Sequence, residues 1–161
     1  MRALVSMFLL LFAWFVLTTV SAAAADQNDG VIFEDLFKKW TDAFNRKDIV
    51  GSAGLFSRKV VADYQGVPRK NYTTIYYGFK KIFGETKQQY KYRFKLRDLY
   101  RSGDLAAVRI TWYLDISEEG KPTTTVEDQG LDVLQRNKDG TWQIINCIAY
   151  PEKSEFDEPK K

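Results

Sequence analysis

The stretch "GLDVLQRNKDGTWQIINCIAY", Gly130 to Tyr150, decides the fold. Its "KDG" is turn chemistry between two apolar runs, so the stretch predicts a β-hairpin. Both strands carry apolar residues on both faces, and such a hairpin must pack against something on each side. Gly130 sits within the first run, where it marks a bulge or bend. The phase of that strand is therefore open. If Leu131 and Val133 face inward, so does Gln129; if the bend shifts the phase, Asp132 or Asp128 does.

Upstream, the pattern alternates with the same period of two. In "YKYRFKL", Tyr90, Tyr92, Phe94 and Leu96 alternate with Lys91, Arg93, Lys95 and Arg97. In "LAAVRITWYLDI", Val108, Ile110, Trp112 and Leu114 alternate with Arg109, Thr111, Tyr113 and Asp115. Each run predicts a strand with one buried face. With "TTTVEDQGLDVLQR" and "TWQIINCIAY" they form a four-stranded meander. The basic row from Lys91 to Arg97 reads as a solvated face that discourages edge pairing, with anion binding as the alternative.

Further upstream the period changes. Phe33, Leu36, Phe37, Trp40, Ala43 and Phe44 recur at helical spacing, and so do Tyr72, Ile75, Tyr76, Phe79, Ile82 and Phe83. Asp48 is a cap for a second helix over "IVGSAGLFS", with Ile49, Ala53 and Phe56 on one side. "KVVADYQG" predicts a short strand ending at Gly66. The order implies an α+β domain, its helices segregated from an antiparallel sheet.

The 161-residue chain opens with Met1-Arg2 and an uncharged run to Ala25. A basic start, an apolar centre and small residues before "DQND" predict a secretory signal over 1–25, cleaved at Ala22–Ala25; an uncleaved anchor is the alternative. The remaining residues suffice for one domain over 26–151, with a mobile tail over 152–161. The formal charge of +3 is too balanced to imply nucleic acid or an anionic membrane as partner. Histidine is absent, which excludes His-based triads and imidazole metal sites; no metal or cofactor is expected. Cys147 is the single cysteine and reads as a buried structural thiol. "NYT" at Asn71–Thr73 is an N-glycosylation sequon in a eukaryotic secretory pathway and otherwise a helix cap.

"FKKWTDAFNRKDIVGSAGLFS", "KVVADYQGVP" and "GLDVLQRNKDGTWQI", in that order, resemble the nuclear transport factor 2-like superfamily, in its SnoaL-like and ketosteroid-isomerase-like branch. The resemblance implies a cone-shaped curved antiparallel sheet wrapping N-terminal helices, the cystatin-like roll, with an apolar cavity. It also implies a homodimer paired through the sheet face. Asp63 falls on the position of the isomerase base, where a carboxylate moves a proton next to a carbonyl. The family's tyrosine donor maps onto Trp40, a poorer donor. Its second donor, a protonated acid, lies just before the final hairpin; Gln129 is the candidate there, or Asp132 or Asp128 in the other phase. Trp40, Tyr64, Tyr76, Tyr77 and Trp112 are candidate ligand contacts.

Three functions remain open: a secreted domain binding a small apolar molecule; an isomerase or cyclase with Asp63 as base; and an association module with a filled interior. A cavity of several hundred cubic ångströms holding Asp63 would favour the first two; a filled interior, the third.

Overall fold

A computed structural model of the chain describes residues 28–152. The predicted signal over 1–25 and the tail beyond 152 lie outside the described residues. The chain divides after Asp35. The described part of the first unit, 28–35, is helical throughout. The second unit holds the rest of that helix, α1 (28–45), together with every element below.

Helix α1 ends where Lys47 adopts a left-handed backbone (φ 62°), and Lys47 N–H and Asp48 N–H donate to the Phe44 and Ala43 carbonyls. Asp48 then caps α2 (Ile49–Gly54) by accepting from Gly51 N–H at 2.9 Å. A Cβ on Gly51 would lie 2.8 Å from that of Ala43, so only glycine permits this tight corner. Helix α2 stops at Gly54, shorter than the period suggests. Phe56 opens β1 (Phe56–Tyr64) instead, because the Leu55 carbonyl and Phe56 are engaged by Ile144. Strand pairing overrides helical spacing there. Asn71 caps α3 (Tyr72–Phe83) through a reciprocal box with Thr74.

The meander forms as expected: β2 (Gln88–Ser102), β3 (Leu105–Glu118), β4 (Thr124–Arg136) and β5 (Trp142–Pro151), each antiparallel to the next. Strand β1 adds to the free side of β5 in parallel, giving the order β1-β5-β4-β3-β2. The sheet is therefore mixed, curved and unclosed.

A register slip between Phe56 and Val61 in β1 and two more in the meander set which side chains face in. One falls between Leu96 and Asp98 in β2. The other passes from Val133–Asn146 to Leu134–Ile144, leaving Ile145 without a partner in β4. That extra residue lets Trp142 and Ile144 before it, and Cys147 after it, all be buried. On β4, Gly130, Asp132 and Leu134 are buried while Leu131 is 42% exposed. The phase is thus the shifted one, with Asp132 inward and Gln129 outward.

The core is aromatic. Phe37, Trp40 and Phe44 of α1 meet Tyr92, Phe94 and Trp112 of the sheet, and Phe79 and Phe83 of α3 close on Phe44. Trp40 and Trp112 have centroids 4.9 Å apart in an edge-on arrangement, as do Phe44 and Tyr92 at 4.7 Å. Each such pair adds about 1 kcal/mol beyond area burial. Gly130 belongs to this core: a Cβ there would lie 3.1 Å from Ile110 Cγ2 and 3.5 Å from Trp112 Cδ1.

Candidate functional site

Inside the second unit the packing leaves a cavity of about 90 Å³. It is smaller than expected, yet it is not filled. Trp40, Phe56, Phe79 and Trp112 supply apolar wall. Tyr64, Tyr92, Asp128, Asp132 and Cys147 supply the polar groups. These come from β1, β2, β4 and β5, and the pleat explains the selection. Ala62, Cys147 and Asp132 share one rung of the sheet, and Tyr64, Ala149 and Gly130 share the rung two residues on. Partners on a rung point to the same side.

Asp132 is the unusual member. It is 4% exposed, and its Oδ2 has no hydrogen-bond partner, the sole such buried side-chain oxygen or nitrogen among the described residues. Burial raises its pKa to about 7. Asp128, partly buried, is raised for the same reason. The Tyr64 hydroxyl lies 3.9 Å from the Cys147 thiol. Burial pushes the Tyr64 phenol strongly up, with the thiol and Asp132 adding to it. Burial likewise takes the Cys147 thiol to about 12, so the thiol is neutral and unreactive. Tyr92 rises to about 12 through burial, reinforced by Asp128.

The predicted residues distribute unevenly. Trp40, Tyr64 and Trp112 line the cavity; Tyr76 does not, and its ring stacks with Tyr72 and meets Tyr77 edge-on. Tyr77 is exposed. The Trp40 indole N–H donates to the Ser52 carbonyl at 2.8 Å, so it is engaged by the fold rather than offered to a ligand.

Asp63 stands outside the cavity lining. It shares a rung with Ile148, which is 49% exposed, and so belongs to the outer face. Arg69 donates to both its oxygens, at 2.8 and 3.0 Å. That guanidinium holds its carboxyl below the usual range, the reverse of what a base in an apolar pocket needs. Its exposure and ion pair place Asp63 in a surface role at the "DYQG" turn. Gln129 is also on the outer face, where its amide accepts from the Thr111 hydroxyl at 3.0 Å. Asn71 is exposed, and its Oδ1 accepts from Thr74 N–H at 3.1 Å. In the basic row, Arg93 forms a bidentate pair with Asp115, and Arg97 donates to Thr111.

The sequence offers Asp132 only in the shifted phase of β4, and it places Tyr92 on the buried face of a strand without marking it as a site residue. The alternation that put Tyr92 inward was the signal for it. For Asp132, the signal was Gly130 beside Ile110 and Trp112, which marks the even-numbered residues of β4 as the inward set. Among the described residues no cluster of acids and cysteine is arranged to hold a metal ion, and no helix is long and apolar enough to cross a membrane.

Comparison with known proteins agrees with the fold. A conserved protein from Planctomyces limnophilus superposes with a TM-score of 0.70 at 12% identity, over 78% of this chain and 98% of that one. A nuclear transport factor 2-like protein with a cystatin-like fold from Novosphingobium aromaticivorans gives 0.67 at 12% identity, over 86% and 92%. A ketosteroid isomerase-like protein from Erwinia carotovora atroseptica gives 0.61 at 18% identity, over 75% and 94%. No curated protein matches the sequence. These likenesses concern the fold. The sequence itself matches the SnoaL-like domain over residues 37–144, most of the described chain, and the protein belongs to that family.

Proposed function

We propose that this is a secreted domain whose cavity binds one small, largely apolar molecule carrying a single polar group. The observation that carries the reading is Asp132: a buried carboxyl facing the cavity with an oxygen that no described residue satisfies. An unsatisfied buried polar group costs about 1–3 kcal/mol, more when charged. A ligand that completes its hydrogen bonding offsets that cost on binding. The aromatic wall supplies affinity, and the volume restricts the ligand to one small ring or a branched head of similar size. Trp40, Tyr64 and Trp112 are the contacts this reading assigns. An isomerase acting through Asp63 has no support in the geometry, because that carboxylate faces solvent and Arg69.

The test is native mass spectrometry after incubation with a small-metabolite extract. The wild type should retain a small adduct, and Ala149→Leu, which fills the cavity, should release it. Retention of nothing by the wild type, or of the same adduct by both proteins, refutes the reading.

A second reading, self-association, has its own observation. Leu131, Ile148 and Tyr150 are 42%, 49% and 50% exposed on the outer face, and Leu131 and Ile148 share a rung. A second copy of the sheet face would cover them. Sedimentation equilibrium of the wild type and Ile148→Glu tests this; a wild-type monomer excludes it.

A further inference from the structure

Resting on the reading of the cavity as a ligand site, we infer that its ligand is a small organic cation, an amine or quaternary ammonium head, received by Asp132 and Asp128 within the rings of Trp40, Tyr64, Tyr92 and Trp112. The argument is one of charge balance. Two carboxyl groups line the cavity, and no lysine or arginine does. On the outer face three acids do have a cation: Asp63, Asp98 and Asp115 each pair with an arginine, at 2.8, 2.7 and 2.8 Å. Inside, no lining residue offers a counter-charge to the ionised acids, and a cationic occupant supplies it.

The aromatic walls suit a cation as well. Trp40, Tyr92 and Trp112 are mutually inclined by 53°, 67° and 77°, with centroids 4.9–5.7 Å apart. Their packing against one another leaves all three on the cavity wall, where an aromatic ring attracts an ammonium group that sits over its face. A neutral ketone or alcohol would gain contact from these walls but no charge attraction.

The groups facing Asp132 from neighbouring elements are Tyr64 on β1, Cys147 on β5, and Tyr92 and Asp128 beyond. The cation next to them is Lys70, whose Nζ sits 4.8 Å over the Tyr64 ring. Lys70 is not part of the cavity wall, and burial is what raises Asp132. The acid is therefore mostly protonated in mildly acidic solution and ionised in mildly basic solution. A cation selects the ionised form, and a neutral hydrogen-bond acceptor selects the protonated one.

This opposition makes the test. Cyclohexylamine and cyclohexanone have nearly the same shape, and the amine is cationic throughout. Their binding is measured by calorimetry near pH 5 and near pH 8.5. We expect the amine to bind at least about tenfold more tightly at the higher pH, and Asp132→Asn to abolish that gain. Asp128→Asn, a second variant, should weaken the amine with a smaller change in pH dependence. The inference is overturned if the ketone binds as tightly as the amine at high pH, or if amine affinity ignores pH and Asp132. In those cases the cavity is still a ligand site, for a neutral molecule. If neither probe binds and the extract yields no adduct, the cavity reading falls and takes the cation with it.

Discussion

Asp132 and Asp63 occupy adjacent rungs of the same sheet and have opposite fates. Asp132 lies on the rung of Ala62, Cys147 and Val108; Asp63 lies on the next, with Ile148, Leu131 and Arg109. One step along a strand reverses the face. The inner rung is buried and without a cation, so its acid is pushed toward neutrality. The outer rung is open to solvent and to Arg69, so its acid is held ionised. What distinguishes a candidate ligand group from a surface ion pair is therefore phase, not residue type.

The largest contrast should appear between neighbours on β3. Trp112 meets Phe37, Trp40, Tyr92 and Phe94 on the inner face. Tyr113 stands outside beneath the Arg93 guanidinium, 5.0 Å from its ring. Trp112→Ala should cost about 3–5 kcal/mol in urea unfolding, and Tyr113→Ala less than about 1 kcal/mol. Equal losses would mean that the outer face is packed too, and would favour the association reading.

Next in size is the effect of pH through Asp132. In the unfolded chain its carboxyl titrates near 3.8, and in the folded protein near 7. Between those values the folded state holds more protons than the unfolded one, so stability falls as pH rises. Above about pH 7 the penalty is complete and constant, on the order of 4 kcal/mol. Asp132→Asn removes the charge and should raise the melting temperature at pH 8, with the gain shrinking toward pH 4. Asp115 has the opposite sign. Arg93 and then Thr125 lower its pKa to about 2, so its contribution is present above pH 4 and is lost as pH falls through 2. A melting profile of Asp132→Asn parallel to that of the wild type would show that the inner carboxyl does not titrate as its burial requires.

Gly130 sharpens the same comparison at a smaller scale. Its missing side chain leaves space for Ile110 and Trp112, and a Cβ would meet Ile110 Cγ2 at 3.1 Å. Gly130→Val should cost about 1–3 kcal/mol by overpacking. The equivalent change on the outer rung, Leu131→Val, should be close to neutral. Near-neutral Gly130→Val would mean that the inner face yields at this point and that the cavity is not rigid.

The sequence carried the meander, the two aromatic helices and the outward basic row, because period and composition agreed in each. The length of α2 was not legible, since Phe56 fits a helical stripe and only its pairing with Ile144 moves it into a strand. The parallel docking of β1 on β5 depends on contacts remote in the chain and has no local signature. On β4 the apolar content misleads: Leu131 and Val133 look like the buried set, yet Gly130, Asp132 and Leu134 are. The outer face is apolar enough there to imitate a core. The candidate site was therefore legible as a neighbourhood, while its acid depended on a phase that glycine at 130 signals only once Ile110 and Trp112 are placed opposite.

The smallest expected effect is at Asp63. Its pair with Arg69 is on the surface, where attraction in water is weak and screened by salt. Asp63→Asn should leave the melting temperature at pH 7 unchanged within error. Any loss should fade in high salt, and also in acid as the native carboxyl is protonated. The same variant should capture the same adduct, with the same affinity, as the wild type. Asp132→Asn should do the reverse, changing ligand capture and pH dependence together. If Asp63→Asn alone abolished capture, the inner and outer faces would have been assigned the wrong way round, and the adjacent-rung comparison would fail with them.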